Sequence, residues 1–197
     1  MPDLLSHDRL VFNQKAKLVE LTNEYAVRDE AGNQVGVVRQ EGQSKMKKAL
    51  RLVSNLDQFM AQQLAVYDAA GQRVATLTRP RKVFKSTVEV TDGTGATVGR
   101  IAQENVIGKI RFGLQDAAGG PLGQIRAENW RAWDFAVVDQ TGREVARITK
   151  KWAGLGKEMF TTADNYALEV ASDVRGPLRV LVLAAAAGID TALKQTE

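Results

Sequence analysis

From Val180 to Ile189 the chain runs for ten residues without a charged or hydrogen-bonding side chain, reading Val-Leu-Val-Leu-Ala-Ala-Ala-Ala-Gly-Ile. Its Leu- and Ala-rich composition favours a helix, and a helix that is apolar on every face must lie inside a protein core or a membrane. Length decides between the two. The run is about half of the roughly 20 residues that cross a bilayer, and Arg179 and Asp190 close it at either end. The spacing therefore predicts a core helix over about 177–193. Pro177 suits the first helical position, Gly176 loosens the chain before it, and Ser172 or Asp173 is placed to cap free amides. A helix buried on every side has to be wrapped by the rest of the chain.

That remainder reads as β-structure. A short repeat recurs, in which a strand reaches Asp, turns through a Gly three residues later and leaves as a second strand. It appears at Asp29 to Gly32, Asp68 to Gly71, Asp92 to Gly95, Asp116 to Gly119 and Asp139 to Gly142. From the second onward the Asp positions are 24, 24 and 23 residues apart. Asp opening a tight turn accepts hydrogen bonds from the turn backbone, and Gly supplies the positive φ that closes it. Each unit is thus a β-hairpin, and the series is a meander. Five hairpins around one apolar helix fit a closed barrel better than a propeller or solenoid.

Alternation supports the strands. Ile110, Phe112 and Leu114 oppose Lys109, Arg111 and Gln115, and Phe84, Val88 and Val90 oppose Lys85, Thr87 and Glu89. Phe160, Tyr166, Leu168 and Val170 share a parity with Thr162 and Asp164. One segment departs from this pattern. From about Ser44 to Leu56, Met46, Leu50, Val53 and Leu56 recur at helical spacing, giving a short basic amphipathic helix that suits either an anionic membrane surface or the end of a barrel.

The 197 residues, 44% of them hydrophobic, suffice for one domain over 1–197, and no linker or low-complexity tract divides them. The N-terminus lacks the layout of a secretory signal, and zero cysteines exclude disulfides, thiolate metal sites and cysteine nucleophiles, so the expected location is cytoplasmic. The net charge of +4 is carried unevenly. Lys45, Lys47, Lys48 and Arg51 form one acid-free cluster, and Arg79, Arg81, Lys82 and Lys85 form another. Without these eight the balance turns to −4, which points to a local anionic partner.

The residues from Val145 to Gln195 read VARITKKWAGLGKEMFTTADNYALEV and then, after a short link, PLRVLVLAAAAGIDTALKQ. A strand ending in Lys151 and Trp152, then Gly154, Phe160 before Ala-Asp-Asn-Tyr, and a helix closing on Ile189 and Asp190 resemble, in this order, the C-terminal half of the phospholipid scramblase family. That family stands beside Tubby and the plant LURP-one-related proteins. The resemblance implies a twelve-stranded Tubby-like β-barrel wrapped around a hydrophobic C-terminal helix, with Leu181, Val182, Leu183 and Ile189 in its core. It also implies binding of membrane phospholipid, linked in eukaryotic members to calcium-dependent movement of lipid between leaflets. The family's proposed calcium segment matches Thr162, Asp164 and Asp173 here. Thr162 stands where a carboxylate is expected, leaving two charged ligands for an ion that takes six to eight oxygens, which speaks against calcium dependence.

No enzyme of known type is expected. His7 is the single histidine, placed in an N-terminal tail and read as a solvated surface residue, and G-x-S-x-G, P-loop and zinc-protease motifs are missing from the sequence. The two basic clusters are the candidate headgroup contacts, since Arg forks bind phosphate oxygens bidentately. Trp133 shares parity with Phe135 and Val137 and suits a core, whereas Trp130 and Trp152, beside Arg131 and Lys151, suit a membrane rim. The leading expectation is a scramblase-related protein that binds anionic phospholipid peripherally on the inner face of a membrane. A part in phospholipid scrambling is the secondary expectation, since a helix sealed in a barrel offers headgroups no hydrophilic track. The alternatives are a regulatory module docking a protein partner and, less favoured, a nucleic-acid-binding regulator.

Overall fold

The computed structural model describes residues 3–13, 24–41, 62–80, 87–104, 111–129, 134–150 and 165–193. They form a 3-10 turn (Leu4–Ser6), twelve strands and a C-terminal helix, α1 (Gly176–Leu193). The strands are β1 (Arg9–Asn13), β2 (Glu24–Arg28), β3 (Gln34–Glu41), β4 (Gln62–Asp68), β5 (Arg73–Arg79) and β6 (Thr87–Asp92). They continue as β7 (Thr97–Gln103), β8 (Arg111–Asp116), β9 (Pro121–Asn129), β10 (Asp134–Asp139), β11 (Glu144–Thr149) and β12 (Asn165–Val170). Every strand pairs antiparallel with its neighbours in sequence, and β1 pairs with β12, so the sheet closes into the expected twelve-stranded barrel. Closure removes the sheet edges that would otherwise template aggregation.

The five Asp-x-x-Gly segments are the hairpin turns that the sequence predicted. In each, the Gly amide donates to the Asp carbonyl at 3.0–3.1 Å, and the Asp amide donates to the carbonyl four residues on at 2.9 Å. The turn glycines adopt φ from +77° to +89°, a left-handed conformation that side chains with a Cβ resist. Each hairpin carries a register shift at or just before its Asp, the bulge that this turn type requires.

The turn carboxylates are tuned by these bonds. The Thr94 hydroxyl and then the Thr94 and Ala96 amides hold Asp92 below the usual carboxylate range, and Asp139 is held down in the same way, first by the Thr141 hydroxyl. A lowered pKa means that the stabilisation is fully present above the unfolded value of about 3.9 and is lost as pH falls through the folded one. Denaturant midpoints are expected to stay level from neutral pH to about 5 and to fall below about 4. Asp92→Asn with Asp139→Asn should flatten that fall; an undiminished acid transition in the double variant would assign it elsewhere.

Helix α1 runs through the interior. Seven consecutive residues, Leu181 to Ala187, are each no more than 5% exposed, so every face is covered. Around them lie Val66, Leu77, Val90, Leu114, Phe135 and Ile148 from the inner faces of the strands. Gly188 lets the helix approach β5 closely, since a Cβ there would sit 3.0 Å from Leu77. Two tyrosines fix the helix along its axis: Tyr166 donates to the Ala186 carbonyl at 2.7 Å and Tyr25 donates to that of Ala187. Phe12 stacks on Tyr166 with ring centroids 5.1 Å apart.

The start of the helix differs from the expectation. Asp173 turns its carboxylate to Arg143 of the β10–β11 turn at 2.8 Å, and Gly176 opens the helix with φ +62°. Arg179, which closes the apolar run at its N-terminal side, is buried. Its guanidinium donates to the carbonyls of Leu5, His7 and Ala171 and to the Asp8 carboxylate. This draws the N-terminal segment over the barrel end, with Leu4 only 1% exposed. His7 therefore does not sit on a solvated tail: it is half-buried, and its Nε2 is closed off from solvent.

Candidate functional site

A closed meander sorts its connections strictly. Turns after even-numbered strands lie at one end of the barrel, and those after odd-numbered strands lie at the other. The Asp-x-x-Gly turns all follow even strands. Spanning 29–33, 68–72, 92–96, 116–120 and 139–143, they carry six carboxylates and one cation, Arg143. This is the acidic end, and β12 leaves from it into α1.

The opposite end collects 14–23, 42–61, 80–86, 104–110, 130–133 and 150–164, which link odd strands to the next even ones. By sequence these six connections hold fourteen Lys or Arg against five Asp or Glu, in a chain whose net charge is only +4. The cluster of Lys45, Lys47, Lys48 and Arg51 falls between β3 and β4, and that of Arg81, Lys82 and Lys85 between β5 and β6. Register places Glu41 opposite Gln63 and Gln62 opposite Arg79, so the two connections leave from strand ends about two strand spacings, roughly 10 Å, apart. By sequence, all three tryptophans, Trp130, Trp133 and Trp152, belong to connections that join strands at this end.

Of the eight expected headgroup contacts, Arg79 lies within the described residues. It ends β5 on the face shared with Ala75 and Leu77, directed inward at the barrel mouth and 8% exposed, and burial pushes its guanidinium pKa down. Lys45, Lys47, Lys48, Arg51, Arg81, Lys82 and Lys85 lie outside the described residues, as do the three tryptophans, the segment 44–56, Thr162 and Asp164. Leu181, Val182 and Leu183 are buried in α1, which also includes Ile189.

Of the residues in the calcium comparison, Asp173 lies within the described residues, where it follows β12 at the acidic end and pairs with Arg143 at 2.8 Å. Arg143 also holds the Asp173 carboxyl below its ordinary range.

The outer wall is charged. Arg39 pairs with Glu24 at 2.8 Å, Arg73 with Glu41 at 3.2 Å, and Arg147 with Asp134 at 2.6 Å and Glu144 at 2.7 Å. Arg39 and Arg73 both lie over the ring of Tyr67. Membrane-spanning barrels have the reverse layout, with an apolar outer band and a polar lumen. No helix among the described residues is long and apolar enough to cross a membrane.

A closed antiparallel barrel of twelve strands, packed around its own apolar C-terminal helix and charged outside, is an architecture of the Tubby-like kind. Within that class, a model of the Scramblase family matches residues 3–193, and the chain belongs to this family. No curated protein and no solved structure shows a significant match.

Proposed function

We propose that this scramblase-related chain binds anionic phospholipid peripherally, on the inner face of a membrane, through the basic end of its barrel. The observation that carries the reading is topological. Two basic clusters separated by some thirty residues, and all three tryptophans, belong to connections at the same end, while the carboxylates of the hairpin turns mark the other. An anionic leaflet attracts basic residues by about 1 kcal/mol each near its surface, and tryptophans settle at the headgroup level. The field of the barrel turns the basic end toward such a surface before contact. Because α1 fills the interior, the reading is one of non-enzymatic surface binding, with no passage of headgroups through the lumen.

Lys47→Gln, Lys48→Gln, Arg81→Gln and Lys82→Gln together are expected to weaken binding to acidic vesicles by at least tenfold at low salt. Flotation with liposomes measures this, and the loss should be the same with calcium or with a chelator. Unchanged affinity of the quadruple variant would remove the basic end from the account.

A further inference from the structure

The acidic end carries a recess of its own. An open cleft of about 520 Å³ lies between the β6–β7 turn, the β8–β9 turn and the first turn of α1. Val98, Val180, Pro177, Ala117 and Ala118 give it an apolar lining, and Asp92 and Asp116 place carboxylates at its edge. Val98 and Val180 pack against the core from below, so the floor is fixed by the fold. Asp92 Oδ1 is held by Thr94 and Ala96, and Asp116 Oδ1 by Gly120, which keeps both side chains in place.

An apolar recess edged by carboxylates suits an apolar side chain flanked by cations. The molecule supplies that chemistry at its opposite end. The 80–86 connection reads Pro-Arg-Lys-Val-Phe-Lys-Ser, an apolar pair between cations, in the most basic region of the chain. We infer that the acidic-end cleft receives the basic end of a second copy, so that barrels associate head to tail. Such a contact is heterologous and does not close on itself, and it therefore yields short open chains rather than a defined dimer. It uses the surface that the proposed function gives to the membrane. Anionic vesicles and a second copy then compete, and this competition alone rests on the membrane reading.

Sedimentation velocity of the full chain tests the association. At about 0.02 M salt, where screening extends over roughly 20 Å, the mean mass should rise with protein concentration; at about 0.5 M it should be that of the monomer. Ala117→Lys with Ala118→Lys places cations in the cleft at two exposed turn positions and leaves the Asp116 bonds intact. This variant should melt like wild type and associate at least tenfold more weakly. Arg81→Glu with Lys82→Glu should also stay monomeric, and mixing the two variants should restore pairing, because the intact basic end of the first meets the intact cleft of the second. A wild-type protein that is monomeric at low salt, or a cleft variant that assembles like wild type, would overturn the inference. The cleft variant is expected to float with acidic liposomes as wild type does. Flotation without association would sink the inference and leave the membrane reading intact, and association without flotation would do the reverse.

Discussion

Replacing Leu181 or Leu183 by Asp is expected to leave no folded protein at room temperature. The two residues are 0% and 3% exposed and project about 200° apart around α1, so neither can turn its side chain out to water. An unpaired carboxylate in that interior costs several kcal/mol, and the lost apolar packing adds about 2–5 kcal/mol. A domain of this size is stable by only about 5–15 kcal/mol. Circular dichroism and solubility check this, with Leu181→Ala as the milder comparison: it should stay folded and lose about 2–5 kcal/mol in denaturant titration. A Leu181→Asp protein that melts cooperatively near the wild-type temperature would show that the barrel does not depend on its central helix.

The second large effect belongs to Arg179. Its side chain is 6% exposed, and its guanidinium joins three carbonyls and one carboxylate drawn from the N-terminal segment and the β12–α1 link. Arg179→Met keeps most of the volume but strands those acceptors, at an expected cost of about 3–5 kcal/mol. Arg179→Lys should recover less than half, because one ammonium cannot reproduce the fork. Asp8→Asn should cost about 1 kcal/mol or less, since the Asp8 side chain is 47% exposed and its share of the contact is screened. Denaturant midpoints of the three variants measure the order. Equal stability of wild type and Arg179→Met would mean that the N-terminal segment contributes nothing to closing the barrel end.

Much of this fold was legible in the sequence because its signals are local. An apolar run without a polar face leaves a helix few places to go, and Asp followed three residues later by Gly specifies one hairpin at a time. Long-range pairings were harder. Asp173 stood where a helix cap belongs, but Arg143, thirty residues away in sequence, claims its carboxylate. Arg179 looked like the polar edge of the apolar run. The signal that could have found it is its place in the first turns of a buried helix, where a charge must have partners.

The candidate site shows the same division. Both basic clusters are plain in the sequence, yet that the connections holding them join strands at the same end follows only from counting strands. Once the barrel has twelve, every odd-to-even connection falls on the same side. Within the segment that resembles a calcium loop, the described residues form strand β12, and Asp173 beyond it is engaged by Arg143.

The orientation of the barrel on a membrane is the central claim, and the tryptophans report on it because all three fall in connections at the basic end. The most direct measurement is tryptophan emission of the full chain mixed with acidic vesicles whose acyl chains carry bromine quenchers, at low salt. The account predicts a blue shift and quenching that are reversed by high salt and missing with neutral vesicles. Emission that is the same with and without acidic vesicles would contradict it.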